Sequence, residues 1–131
     1  MEKVKKQSTF FVDIDGTIIK YRKFKELEGS VAEPITEVID FLNSSYDEGS
    51  VVIITTARPS EWLEFTKKEL NEIGLKYHQI VMGCGRGTRV ILNDKDPEMP
   101  ELPRSVGINL TRNEGFKGVD LDNIISSYES Y

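Results

Sequence analysis

The sequence predicts an α/β protein with three layers, in which a doubly wound parallel sheet carries helices on both faces. Two observations support this prediction. Short apolar runs typical of strands alternate with amphipathic segments typical of helices. The run VVIITTA (51–57) is apolar and β-branched almost throughout, as expected for a strand covered on both sides. Strands connected by helices form crossovers, and crossovers give a parallel sheet.

The first half of the chain supplies a strand, a loop and a helix. Residues 9–12 (TFFV) predict the first strand, which ends in a sharp turn. Residues 18–33 are rich in charge and have no clean period, so they predict a loop, which we call the flap. Pro34 then opens a helix whose apolar residues keep helical spacing as far as Tyr46, and Gly49 ends it.

The second half continues the alternation. After the strand at 51–57, a helix opens at Pro59 and ends at Gly74. A closing helix is predicted near the end of the chain, with Asp120 or Asp122 as its cap. Further strands are predicted over residues 77–82, 89–93 and 106–110.

Composition narrows the class of protein. The 131 residues contain no repeat or linker and are predicted to form a single domain, 1–131. The net charge of −5 argues against a general nucleic-acid binder, although 3′-phosphorylated nucleic-acid ends remain a candidate substrate. The single cysteine, Cys84, cannot form an internal disulfide. The opening MEKVKKQST is not followed by the apolar region of a leader, and no stretch reaches the ~20 apolar residues of a membrane span. We therefore expect a cytoplasmic protein without a membrane partner.

Polar clusters follow three of the predicted strands. Asp13 and Asp15 come directly after the first strand, TTAR (55–58) after the second, and NDKD (93–96) after the fourth. Ligands bind at the carboxyl ends of the strands in such sheets, so we expect the three clusters to meet there.

These residue types favour phosphoryl transfer to an aspartate. A carboxylate that attacks phosphorus forms an acyl phosphate, and because both groups are anionic a hard cation such as Mg²⁺ must lie between them. A second carboxylate protonates the leaving oxygen and then deprotonates the attacking water. Asp13 and Asp15 supply the nucleophile and the acid/base, and Asp94 completes the cation site. Thr56 and backbone N–H groups of the first turn, at Gly16, are candidate phosphate ligands.

Three alternative sites do not fit the sequence. In a calcium loop that starts at Asp13, the glycine falls fourth instead of sixth and Phe24 stands where glutamate is needed. The glycine-rich GCGRGT (83–88) lacks the lysine of a phosphate-binding P-loop. A phosphatase nucleophile at Cys84 would need an arginine six positions later, where Val90 stands.

The motifs together resemble those of the haloacid dehalogenase-like hydrolase superfamily. DIDGT, VVIITTAR and VILNDKD are similar to its first, second and fourth motifs, in order, over residues 9–97, and VGINLTRNEGF resembles the tail of small members. The resemblance implies that Asp13 is the phosphorylated nucleophile, Asp15 the general acid/base and Thr56 a phosphate ligand. It also implies a Mg²⁺ ion bound by Asp13, Asp15 (through its backbone carbonyl) and Asp94.

The sequence departs from this family at the third motif, where a lysine is expected. No lysine lies between Tyr77 and Asp94. Arg86, Arg89 and Lys95 are the candidate replacements, although an arginine fork is not equivalent to an ammonium group. Beside Thr56, Arg58 either binds the substrate or pairs with an acidic residue of the flap.

The short connections leave no room for a cap domain, since only 40 residues separate Asp15 from Thr56. The resemblance then implies a Mg²⁺-dependent phosphomonoester hydrolase acting on a small phosphorylated metabolite such as a phosphosugar, with an open site that neighbours in a homo-oligomer would cover. The missing lysine supports an alternative: a non-catalytic or weakly active module of the same fold that binds a phosphorylated ligand or a partner protein. The basic flap residues either grip an anionic substrate or form a solvated face; they are Lys20, Arg22, Lys23 and Lys25.

Overall fold

Three parallel strands form one sheet, in which their spatial order is the same as their order in the chain. The computed structural model describes residues 7–128, so the opening segment MEKVKK, on which the absence of a leader was predicted, lies outside the described residues. The strands are β1 (Thr9–Val12), β2 (Val51–Thr55) and β3 (Gln79–Val81). The parallel pairing of both neighbours confirms the prediction of an α/β fold with a parallel sheet.

Two helices connect the strands and a third follows the last strand, all close to the predicted positions. They are α1 (Thr36–Asp47), α2 (Leu63–Glu72) and α3 (Leu121–Ser126), with short 3₁₀ helices at Phe24–Glu26 and Ser60–Trp62. Gly49 and Gly74 follow α1 and α2 with φ of +101° and +77°, a conformation that glycine adopts without steric cost. Asp120 caps α3, because its carboxylate accepts the backbone N–H of Asn123 at 3.2 Å.

The core lies between α1 and one face of the sheet. Val52 and Ile54 of β2 point to this face and are fully buried, and each contributes about 1.5–3 kcal/mol through burial of its side chain. The ring of Phe10 on β1 packs edge-on against Phe41 of α1, with centroids 5.4 Å apart. Ile18 and Ile19, at the start of the flap, are also fully buried, so this part of the predicted loop belongs to the core.

The opposite face of the sheet is partly bare. Phe11, Val51 and Val81 lie on this face by the strand register and remain exposed, with Phe11 54% accessible. Helices on both faces are therefore the part of the fold prediction that the structure does not confirm.

Two of the predicted strands do not form. Residues 89–93 and 106–110 contain no strand, and Leu92 is 90% exposed. The apolar run at 90–92 has strand propensity, but it gains no burial and no hydrogen-bonded neighbour in the sheet, and propensity alone does not make a strand.

Among residues 7–128, no helix has both the length and the apolar composition needed to cross a membrane.

Candidate functional site

The segments that follow the three strands meet at one end of the sheet. The Thr56 backbone N–H donates to Val81 (3.0 Å), and the Cys84 N–H donates to the Thr56 carbonyl (2.9 Å). From the far end of the chain, the Asn113 N–H donates to the Gly16 carbonyl at 2.8 Å. The carboxyl ends of the strands therefore carry the first two predicted clusters side by side, as the parallel topology requires.

Asp13 is a half-buried carboxylate beside a cation. Its Oδ1 lies 3.7 Å from Nη2 of Arg89. At this distance the two groups form an ion pair, but they are too far apart for a hydrogen bond. Burial raises the pKa of Asp13 above its ordinary value, Arg89 acts in the opposite direction, and the neighbouring charge of Asp15 raises it further. Among the described residues, no side chain donates a hydrogen bond to Asp13.

The raised pKa of Asp13 predicts a dependence of stability on pH. The folded chain holds this proton more tightly than the unfolded chain, so stability falls as pH rises from the ordinary value of 3.8 through the raised one, and stays lower above it. We expect Asp13→Asn to unfold at higher urea concentration than the wild type at pH 7 without divalent cations. The gain should be at most about 1 kcal/mol because solvent screens this half-exposed charge, and it should shrink toward pH 3.5. Asp40→Asn, at an exposed carboxylate on α1, is the control, and an equal gain there would contradict the prediction.

Asp15 is held by a two-pronged pair with Arg58. Nε and Nη2 of Arg58 donate to the two carboxylate oxygens of Asp15 at 3.0 and 2.8 Å. The Arg58 side chain is 2% exposed and the Asp15 side chain 21%. Of the two roles that the sequence left open for Arg58, the structure does not show a pair with an acidic residue of the flap, because Arg58 binds the second aspartate of the first motif.

Arg58 also contacts helix α2, and the contacts continue to the flap. Its Nη1 donates to Glu69 (3.0 Å) and to the Thr66 hydroxyl (3.1 Å), and both carboxylate oxygens of Glu69 accept from Nη2 of Arg22 at 2.8 Å. We call Asp15, Arg58, Glu69 and Arg22 the buried ion-pair network. Burial alone would lower the pKa of Arg58, but hydrogen bonds and charges from Asp15 and Glu69 outweigh it and raise the pKa above its usual value.

The glycine of the first motif has a structural role in the turn. Gly16 has φ of +90°, and a Cβ at this position would lie 3.1 Å from Cγ of Arg112. Its N–H donates to the Ile19 carbonyl at 2.7 Å. The prediction that Gly16 offers its N–H to a phosphate is therefore corrected: this donor is already used to close the turn.

Thr56 lies at the end of β2 and is almost completely buried. Its Oγ1 accepts the backbone N–H of Arg58 at 3.1 Å, and this leaves the hydroxyl proton able to donate. Thr56 thus stabilises the turn that leads to Arg58, and its hydroxyl remains a candidate hydrogen-bond donor to a bound phosphate.

Asp94 is not brought to the first two clusters. Its side chain is 77% exposed and pairs with Nη1 of Arg104 at 3.0 Å. Because residues 89–93 form no strand, nothing carries Asp94 to the end of the sheet, and Lys95 shares its exposed position. Of the candidate cations, Arg89 reaches Asp13, whereas Arg86 is exposed on the loop after β3 and has no ion pair with any described residue.

The oxygen donors at the site fit only part of a magnesium shell. Within residues 7–128, no cluster of three or more acidic, histidine or cysteine side chains is arranged to hold a metal ion. The Asp13 carboxylate is partly exposed, and its contact with Arg89 is longer than a hydrogen bond, so its oxygens remain available to a metal ion. Mg²⁺ commonly uses one or two carboxylates and completes its shell with other oxygens, including those of phosphate and water. The Asp13 carboxylate and the backbone carbonyl of Asp15 would therefore fit such an ion without Asp94.

Two important groups were missed at the sequence level. Glu69 shares a helical face with Thr66, Leu70 and Ile73, and two polar residues on an otherwise apolar face are a signal for a buried partner. The tail residue Arg112 places its guanidinium 3.8 Å from the centre of the Tyr21 ring, beside the Gly16 turn. Contacts between segments this far apart in sequence leave no local pattern.

Comparisons with known proteins inform the fold. No protein-family model matches the chain, and no curated protein matches it. The chain is similar to a target protein from Vibrio cholerae of known crystal structure, with 18% identity and a TM-score of 0.55 over 93% of this chain and 97% of that one. At this identity the similarity shows a common fold and says nothing about activity.

Proposed function

We propose that this protein is a Mg²⁺-dependent phosphomonoester hydrolase of the haloacid dehalogenase-like superfamily that works through an aspartyl phosphate. One observation carries the proposal. At the carboxyl end of β1, Asp13 is a half-buried carboxylate with no side-chain hydrogen bond from the described residues, while Asp15, two residues on, is fixed by Arg58. A nucleophile has to be accessible, as Asp13 is, and a general acid/base has to be oriented, as Asp15 is.

Each residue then has a distinct task. The Asp13 carboxylate attacks phosphorus, and the bond from phosphorus to the leaving oxygen breaks. Asp15, entering the step protonated, gives its proton to that oxygen, and as a carboxylate it later takes a proton from the water that hydrolyses the acyl phosphate. Arg89 and the Thr56 hydroxyl are the candidate phosphate ligands. A bound Mg²⁺ would neutralise the charge between Asp13 and the phosphate.

The proposal includes the finer expectations for this family. They are a doubly wound fold of three layers, a small phosphorylated metabolite such as a phosphosugar as substrate, a cytoplasmic location, and a homo-oligomer that covers the open site. The three-stranded parallel sheet supports the parallel α/β part of this fold, and the 40 residues between Asp15 and Thr56, which include α1, support the absence of a cap at that point. The preference for a phosphosugar is an analogy with other capless members.

A phosphate-release assay and chemical trapping test the proposal. We expect the purified protein to hydrolyse p-nitrophenyl phosphate with Mg²⁺ present and to lose this activity in EDTA. An acyl phosphate is cleaved by hydroxylamine, so brief exposure to radiolabelled substrate should leave a label that hydroxylamine removes and that maps to the peptide containing Asp13. Hydrolysis that is unaffected by EDTA, or a label on another residue, would overturn the mechanism.

The second candidate function is a binding module with little or no turnover. The exposure of Asp94 and the absence of a lysine between Tyr77 and Asp94 in the sequence favour it. Measuring binding and phosphate release with phosphosugars, nucleotides and 3′-phosphorylated oligonucleotides distinguishes the two functions. Saturable binding by calorimetry without phosphate release from any of them supports the module and excludes the hydrolase.

A further inference from the structure

The orientation of Asp15 depends on residues that lie far from it in the sequence. Nε and Nη2 of Arg58 donate to Asp15. The remaining nitrogen of the guanidinium, Nη1, is therefore free to hydrogen-bond to other parts of the protein. That nitrogen donates to Glu69 at 3.0 Å and to Thr66 at 3.1 Å. A planar guanidinium held on both edges cannot rotate without losing one of these contacts.

Glu69 is fixed in its turn by the flap. Nη2 of Arg22 donates to both oxygens of Glu69 at 2.8 Å, and Nη1 of Arg22 donates to Ser30 at 3.2 Å. The Nε of Arg22 is buried without a partner among the described residues, so Glu69 is the group that compensates for burying this arginine. The formal charges of the four residues in the buried ion-pair network alternate in sign along their contacts and sum to zero.

We propose that Glu69 and Arg22 are positioning residues for the acid/base Asp15, acting through Arg58; this inference rests on the proposed phosphatase function. Each carboxylate oxygen of Asp15 has two acceptor positions, and Arg58 occupies one on each oxygen. The network therefore holds the carboxylate in one plane while leaving a free position on each oxygen for the proton that moves to the leaving group. In this role Arg22 connects the flap to Asp15 through Glu69 and Arg58.

Two aryl phosphates separate this role from a general loss of structure. Nitrophenolate leaves readily without a proton, whereas phenolate is a much poorer leaving group and needs one from Asp15. We expect Glu69→Gln to lower kcat/KM for phenyl phosphate at least tenfold more than kcat/KM for p-nitrophenyl phosphate, as Asp15→Asn should. The matched control is Glu72→Gln, at an exposed glutamate on the same helix, which should change neither value. Adding Glu69→Gln to Asp15→Asn should cause no further loss of selectivity, because both changes act on the same proton transfer.

Arg22→Gln provides a second variant that keeps the α2 helix unchanged, in case Glu69→Gln does not fold. It should show the same selective loss, and Arg22→Lys should restore part of the activity with phenyl phosphate by returning the charge. Equal losses with both substrates, in a wild type that hydrolyses both, would overturn the positioning role and leave the proposed function intact. Failure of the wild type to hydrolyse either substrate would overturn the proposed function.

A spectroscopic measurement tests the network without using activity. The Nε–H of Arg58 donates to a carboxylate in a buried site, so its proton should exchange slowly and give a resolved side-chain signal in a ¹H–¹⁵N spectrum. The signal should be assigned by its loss in Arg58→Lys. We expect it to broaden or shift in Glu69→Gln and in Arg22→Gln, and to stay unchanged in Glu72→Gln. An unchanged Arg58 signal in Glu69→Gln would show that Glu69 does not hold Arg58 in place, and would sink the inference.

Discussion

Asp13→Asn should lower the steady-state rate of p-nitrophenyl phosphate hydrolysis by at least about a thousandfold, since losses of this size and larger follow when the nucleophile of a covalent mechanism is removed. The amide has nearly the shape of the carboxylate but cannot form an acyl phosphate. The measurement is the rate of nitrophenolate release with saturating Mg²⁺, for wild type and variant at equal protein concentration.

Two further variants show whether the loss is specific to Asp13. Asp13→Glu keeps the charge but moves the carboxylate by one methylene, and near-attack geometry tolerates displacements of this size poorly, so it should also be strongly impaired. Asp40→Asn removes a carboxylate from the exposed side of α1 and should leave the rate unchanged. Hydrolysis by Asp13→Asn at the wild-type rate would remove Asp13 from the mechanism.

Arg58→Met should destabilise the folded protein by about 3–5 kcal/mol, which is the usual cost of removing one partner from a buried pair. Methionine fills similar space, but it leaves Asp15 without its two hydrogen bonds and removes one of the two cations that bind Glu69. Urea unfolding at pH 7, followed by far-UV circular dichroism, measures the change.

The surface pair between Lys76 and Asp47 is the matched comparison. Its nitrogen and oxygen are 2.7 Å apart, but both side chains are about half exposed to solvent. Lys76→Met should therefore change stability by no more than ~1 kcal/mol. Comparable losses in the two variants would show that burial does not set the strength of the Arg58 pair.

The sequence was most informative where a local pattern decides the structure. The alternation of apolar runs and helical periods was sufficient to predict the parallel strands, and the glycines that end α1 and α2 lie in the conformation that such positions need. The adjacency of Asp13, Asp15 and Thr56 also follows from topology, because parallel strands bring their carboxyl ends together.

Prediction failed where a segment needed a partner that no local pattern identifies. The run at 89–93 has the residue types of a strand, yet without a neighbouring strand it stays exposed, and Asp94 stays with it. One of the two roles expected for Arg58 was a pair with an acidic residue of the flap, whereas its acidic partners are Asp15 and Glu69. The choice among several acidic partners is made by tertiary packing, and spacing in the sequence does not record it.

The chain's single tryptophan contacts the flap, so its intrinsic fluorescence is sensitive to the position of the flap. The Trp62 ring lies edge-on to Phe24 of the flap, with centroids 4.7 Å apart, and to Phe65 of α2 at 5.1 Å. If the flap moved away, the Trp62 indole would lose its contact with Phe24 and become more exposed to water, and its fluorescence emission would shift to longer wavelength. Stopped-flow fluorescence of the unlabelled protein would therefore report any opening of this segment, without a dye or an engineered probe.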